Sequence, residues 1–338
     1  MPRDLRSLPK AHLHLHFTGS MRHATLLDLA DQHGILLPDA LRSAEPLEHL
    51  EATDARGWFR FQRLYDTARS VVRTEADVRR LVHEAAQDEL AEGSGWLELQ
   101  VDPSTYARYL GGLPQTVELI LDAAAQASAA TGVGIGLVVA ANRTRHPLDA
   151  RTLARLAARY AGAGVVGFGL SNDERRGAAR DFDRAFAIAR RAGLAAVPHG
   201  GELGGPGEVR DCLRVLHAHR IGHGVRAVED VALLEELAAA RVTLEVCPAS
   251  NVALGVAPNA AAVPLTVLRR AGVQVALGAD DPLLFGARLV AQYEIARTVH
   301  GCSDIDLAEL ARASVEASLA PEDVKARLRA GIADWLAS

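Results

Sequence analysis

Short apolar runs recur along the 338 residues, separated by longer segments in which apolar positions fall three and four apart. The runs are "AHLHLH" (11–16), "GWLELQVDP" (95–103), "GVGIGLVVAANR" (132–143), "VVGFGLSN" (165–172), "LAAVPHGGE" (194–202), "RIGHG" (220–224), "VTLEVCPASN" (242–251) and "VQVALGADDP" (273–282). The segments between them, such as "LDARTLARLAARYAGAG" and "ARDFDRAFAIARRAG", carry the helical period and close on glycine. Strand, helix, strand repeated eight times predicts an α/β fold, a (β/α)8 TIM barrel. An open doubly wound sheet is the competitor, but no G-x-G-x-x-G follows the first strand.

Two stretches depart from this rhythm. Residues 20–94 are far longer than one crossover helix needs, and they hold the helical patterns "WFRFQRLYDTARSVV" and "TEADVRRLVHEAAQDELAEG". A helical lid insertion after strand 1, at the barrel mouth, is expected there. Beyond residue 283 the tail reads as extra C-terminal helices, with "DLAELARASVEASLA" followed by Pro321 as a new helix start. No linker or low-complexity segment divides the chain, so residues 1–338 are expected to form one domain.

Composition narrows the partners. Hydrophobic residues make up 49% and charged residues 23%, a soluble globular balance. Net charge is −5, which excludes a sequence-independent grip on nucleic acid, since that needs a concentrated basic face. Lysine occurs only at Lys10 and Lys325. Cys212, Cys247 and Cys302 are scattered and odd in number, so they read as reduced residues and not as a disulfide framework. With no apolar run near 18 residues, no membrane is expected as partner and the cytoplasm is the expected location.

Polar residues gather at one end of the predicted strands. His12, His14 and His16 alternate with Leu13, Leu15 and Phe17, so a regular strand puts the three imidazoles on one face. Such a row is either solvated or binds a metal. Strand one ends at His14 and His16, strand five at His199 and Glu202, strand six at His223, and strand eight at Asp280 and Asp281. A barrel brings the carboxyl ends of its strands to one mouth, which makes these residues candidates for a single site. His12 lies deeper and reads as a packed residue. Glu98 is either a buried polar partner or a site residue, and Cys247 reads as core. His217, His219 and His300 fall in helical patterns and read as surface.

"PKAHLHLHFTG", "PHGGE", "RIGHG", "LEVCPASN" and "LGADDP" follow the order and spacing of the adenosine deaminase family, in the amidohydrolase superfamily, which the chain resembles over essentially its whole length. That resemblance implies one Zn2+ at the barrel mouth and hydrolysis of the 6-amino group of an adenosine-type purine nucleoside. It assigns His14, His16, His199 and Asp280 as the metal ligands, three imidazoles and a carboxylate that leave a position open for water. Glu202 matches the acid that protonates ring N1, and His223 the histidine that orients the attacking water. Asp280 also accepts that water's proton, Asp281 holds N7, and His16, Thr18 and Asn172 complete the substrate contacts. "VVGFGLSN" has no lysine to bridge a second metal, which favours a single ion.

Three positions depart from the family pattern. Leucine, an acidic residue and glycine usually follow the strand-one histidines, and here the text is Phe17, Thr18, Gly19. Asn172 replaces the glycine whose backbone N–H meets N3, and "LELQVDP" lacks the arginine common after that strand's glutamate. Thr18 points to a substrate without a free 5′-hydroxyl or with a negative group nearby. Adenosine and a 5′-modified adenosine, such as 6-amino-6-deoxyfutalosine of menaquinone biosynthesis, are therefore both expected substrates. Arg60, Arg63, Arg69 and Arg73 of the insertion are candidate partners for a substrate carboxylate. Adenine deamination is the alternative, and a catalytically silent nucleoside-binding module is the reading from a different class. Assembly into a homo-oligomer stays open.

Overall fold

A computed structural model describes residues 2–47 and 50–338. Eight strands pair in chain order, every neighbouring pair parallel. They are β1 (Lys10–His16), β2 (Ser94–Val101), β3 (Gly134–Asn142), β4 (Val165–Ser171), β5 (Ala195–Gly200), β6 (Arg220–His223), β7 (Thr243–Val246) and β8 (Val275–Leu277). The ring closes just beyond β8. Leu15 bridges Asp280, with the His16 N–H donating to the Asp280 carbonyl at 3.1 Å and the Asp280 N–H to the His14 carbonyl at 3.0 Å. This is the predicted (β/α)8 barrel. Its strands are mostly apolar because each is buried between the barrel interior and the helical layer.

The amino end of the barrel interior is filled by a charged pillar. Arg220 on β6 is 1% exposed, pairs with Glu98 on β2, and donates Nε to Glu245 Oε1 on β7 at 2.6 Å. Glu98 also accepts from Trp96 Nε1 at 3.1 Å and from the Leu319 N–H at 2.6 Å, while Arg220 donates to the Ala317 carbonyl at 2.8 Å. Buried ions are tolerated only when their partners are this complete. Glu98 is thus a buried partner and stands apart from the mouth. Ala317 ends the C-terminal helix Asp304–Ala317, and Leu319 lies between it and the helix Glu322–Ala337, which Pro321 precedes as expected.

Among the described residues the long insertion holds four helices, His23–Gln32, Asp39–Arg42, Ala55–Arg69 and Glu75–Ala91, and the two longest take different places. The helix Glu75–Ala91 opens on a capping box between Thr74 and Asp77 and packs its Val78, Leu81, Val82 and Ala85 face against the barrel, so it belongs to the outer layer. The helix Ala55–Arg69, whose N-cap Asp54 accepts from the Gly57 N–H, instead crosses the mouth. Phe61 stacks on Phe285 with ring centres 5.8 Å apart, tying this helix to the segment after β8. Burying such a ring contributes about 1.5–3 kcal/mol. Lys10 is fully buried at the start of β1, with Nζ donating to the Leu5 and Glu92 carbonyls at 2.9 and 2.6 Å. Burial pulls its pKa down to about 8. The three cysteines are buried and unpaired, and among the described residues no helix is long and apolar enough to cross a membrane.

Candidate active site

β1 does not keep strict alternation. His12 pairs with Leu97 and Leu15 with Leu99, so β1 spends one residue more than β2 over this stretch, a β-bulge. The bulge separates His12 from its neighbours and corrects the expectation that three imidazoles share a face. His12 sits in the seam between β1 and β8, where its Nε2 accepts the Ala279 N–H at 3.0 Å. The ring proton therefore lies on Nδ1, which is 2.7 Å from Glu89 Oε1. It is a packed residue, as expected.

His14, His16, His199 and Asp280 converge. His16 Nε2 lies 3.1 Å from Asp280 Oδ1 and 3.2 Å from His199 Nε2, and His14 Nε2 lies 3.5 Å from Asp280 Oδ1. A tetrahedral ion with ligand bonds of about 2.0–2.2 Å spaces its ligand atoms by about 3.3–3.6 Å, so these residues fit a metal. His14 Nδ1 is 2.7 Å from Glu245 Oε2, the carboxylate–histidine arrangement that leaves Nε2 free for an ion. Among the described residues His14 Nε2 is buried with no hydrogen-bond partner. Burial opposes charge on His14, yet Asp280 and Glu245 lift its pKa to about 10, so this corner asks for a cation. At His199, burial and the neighbouring imidazoles push the pKa well down, leaving the neutral ring that metals bind.

A second group faces the same point. Glu202 is 6% exposed, its Oε1 has no partner among the described residues, and His223 Nδ1 stands 3.6 Å from it. Burial first, then the charges of Asp280 and Glu174, hold Glu202 well above the usual carboxylate range, which favours its protonated form. Burial pushes His223 down to about 3, so it is neutral. Asp281 is pushed up to about 7 by burial and by Asp280. Its Oδ1 lies where a Cβ on Gly19 would come within 1.9 Å, so only glycine fits at that position. His223 and Asp280 hold φ of +61° and +63°, a region non-glycine residues seldom occupy and one that costs of order 1–3 kcal/mol each. Ser250 Oγ donates to Asp280 Oδ2 at 2.5 Å, and Asn251 Nδ2 lies 3.5 Å from His223 Nδ1.

A cavity opens above these groups, with His16, His199, Glu202, His223, Asp280 and Asp281 at its floor. Thr18 lines it with Oγ1 2.5 Å from the Tyr106 hydroxyl. Asn172 lines it too, at φ +82°, a conformation suited to glycine that asparagine tolerates, and donates Nδ2 to Gln62 on the crossing helix at 3.1 Å. Of the four arginines expected near a substrate carboxylate, only Arg69 lines the cavity. Its side chain is 15% exposed, its Nη2 pairs with Asp66 Oδ1 at 2.7 Å, its guanidinium lies 4.9 Å from the Tyr65 ring centre, and its buried Nε has no partner among the described residues. Arg60 bonds the Leu50 carbonyl near Glu51, Arg63 lies over Phe59, and Arg73 bonds the Ser70 carbonyl. An outer cavity shares Gln62, Arg69, Thr105 and Asn172 with the inner one and adds Arg108, Arg145 and Arg176.

Residues 9–335 match the family model described as adenosine deaminase. A Streptomyces virginiae protein named as an adenosine/adenine deaminase is 67% identical over 334 residues, 99% of this chain and 98% of that protein. An adenine deaminase of Rhizobium leguminosarum bv. trifolii is 37% identical, covering 96% of this chain and 98% of its own length. The crystal structure of an adenine deaminase from Arthrobacter aurescens superposes with a TM-score of 0.88 at 31% identity, covering 98% of this chain and 99% of that one.

Proposed function

Starting from the chain's membership of the adenosine deaminase family of hydrolytic deaminases, we propose that it removes the 6-amino group of an adenosine-type nucleoside extended at its 5′ position. The observation that carries this reading is Thr18, bonded to Tyr106 beside Arg69, where the inner cavity runs on into an arginine-rich outer one. A hydroxyl there tolerates a negative extension that a carboxylate would repel. Arg69, paired with Asp66 and lining the same cavity, supplies positive charge for that extension.

One zinc, held by His14, His16, His199 and Asp280, is the metal we assign. When bound, it lowers the pKa of water toward ~7. The protein's own groups do the rest. Glu202, kept protonated, donates to ring N1 as C6 becomes tetrahedral. Neutral His223 orients the incoming water, and Asp280 takes up its proton. N7 offers only a lone pair, so Asp281 meets it as a protonated carboxyl, which its pKa of about 7 permits. As the C6–N bond breaks, the proton taken up by Asp280 passes to the departing amino group and the C6 hydroxyl returns a proton to Glu202, leaving ammonia and a 6-oxo product.

Free adenine is the second reading, favoured by the relatives named as adenine deaminases. A panel of adenine, adenosine, 5′-deoxyadenosine and aminodeoxyfutalosine separates the two. The highest kcat/KM is expected for the extended acid, and adenine ranking first would overturn the nucleoside reading. Glu202→Gln should retain zinc and lose ~10²–10⁴ in kcat.

A further inference from the structure

The turn that carries Glu202 lacks a sheet to hold it. β5 pairs with β6 only at His199 and Gly200, and residues 201–204 run past the end of that ladder. Arg226 donates to two of their carbonyls, those of Gly201 and Leu203, and three of their N–H groups, those of Gly201, Glu202 and Gly204, converge on one side chain from the neighbouring strand end. Glu174, 5% exposed in the short 3₁₀ turn Glu174–Arg176 after β4, accepts at Oε2 from the Gly201 N–H (3.0 Å) and the Gly204 N–H (2.6 Å). Its Oε1 accepts from the Glu202 N–H itself at 3.1 Å. A Cβ on Gly204 would meet Glu174 Oε2 and Glu208 Cγ, each at 2.6 Å. On the other side of the same segment Arg143, at the end of β3, donates to the His199 carbonyl.

We propose that Glu174 is the positioning residue for the catalytic acid: its carboxylate fixes the 201–204 turn and thereby aims Glu202 at the ring nitrogen. This rests on the reading of Glu202 as the acid. Both carboxylate oxygens are needed. An amide can accept at only one of the two places, and its NH2 at the other would face an N–H donor. Glu174→Gln therefore keeps size and shape while breaking the cradle at the Glu202 N–H or at the two glycines.

The test is a double-mutant cycle with Glu174→Gln and Glu202→Gln, assayed at enzyme concentrations that register the residual rate. A displacement of about 1 Å at a reacting group costs about 10²-fold, so Glu174→Gln should lower kcat by that order with KM and zinc content little changed. In the Glu202→Gln background the same change should cost less than about twofold, because its effect runs through a group already disabled. Gly204→Ala, which crowds the carboxylate without altering charge, should reproduce the kcat loss and serves if Glu174→Gln does not fold. Normal kcat in the folded variants, a loss that persists in the double mutant, or a loss that tracks zinc content overturns the proposal. Near-normal kcat in Glu202→Gln alone is a different failure: it removes the acid assignment and this inference with it.

Discussion

Replacing Thr18 by Asp puts a carboxylate where Thr18 Oγ1 now meets the Tyr106 hydroxyl at 2.5 Å. The position is 2% exposed, so the new charge depends on Tyr106 as donor and on Arg69 across the same cavity. For adenosine the carboxylate accepts the free 5′-hydroxyl, and a hydrogen bond to a charged group contributes about 1.5–3 kcal/mol. For a substrate with an acidic extension, like charges ~4 Å apart repel by about 1–4 kcal/mol in a partly solvated site. The two effects act on opposite substrates and so combine in the ratio. Even the lower ends, about 2.5 kcal/mol together, move relative kcat/KM at least ~50-fold toward adenosine. The assay is ammonia release from adenosine and from aminodeoxyfutalosine, on wild type and variant, with zinc content and melting temperature measured alongside. An unchanged ratio in a folded, metal-replete variant would refute the assignment of Thr18 to the 5′ end.

Three further outcomes follow from other parts of the molecule. Arg69→Met should raise KM for the acid-bearing substrate ~10-fold or more while sparing 5′-deoxyadenosine, since one charge-assisted hydrogen bond is at stake; equal losses on both would place Arg69 in general folding. His199→Ala should lose both zinc and turnover, and wild type should hold one zinc per chain by elemental analysis, with two per active chain refuting the ligand set. Lys10 has a folded pKa of about 8 against an ordinary value of 10.5, so between those values the unfolded chain holds the extra proton and stability rises with pH. Lys10→Met should remove this rise, so that the wild-type minus variant difference in urea unfolding free energy changes by ~1.4 kcal/mol per pH unit across that window; a pH-independent difference would show that Lys10 is charged throughout.

Eight strands and the residues at their ends were legible because both rest on local signals: apolar runs, helical spacing, and a polar residue where a run stops. That was enough to bring His14, His16, His199, Glu202, His223, Asp280 and Asp281 to one mouth. What escaped depends on registers between distant strands. Glu245 sits in "TLEV" much as Glu98 sits in "LELQ", and a charge inside a buried strand is a visible signal, yet nothing local says which imidazole or guanidinium it meets. Tyr65 and Tyr106 reach the cavity from two different connections, and of four arginines with no local distinction in the sequence only Arg69 lines it. The misassigned face of His12 has a sharper cause. A single-residue bulge reverses alternation, and no periodicity registers one extra residue.

The closing contact of the barrel has a consequence for biosynthesis. β1 brings two of the proposed ligands and the end of β8 a third, and the backbone bonds joining Asp280 to His14 and His16 are also the ones that shut the ring. A nascent chain emerging from the ribosome therefore carries His14 and His16 from the outset but cannot offer a complete ligand set until almost the whole barrel has been made. A zinc held there could not template early folding of such a chain, and would clasp the first strand to the last.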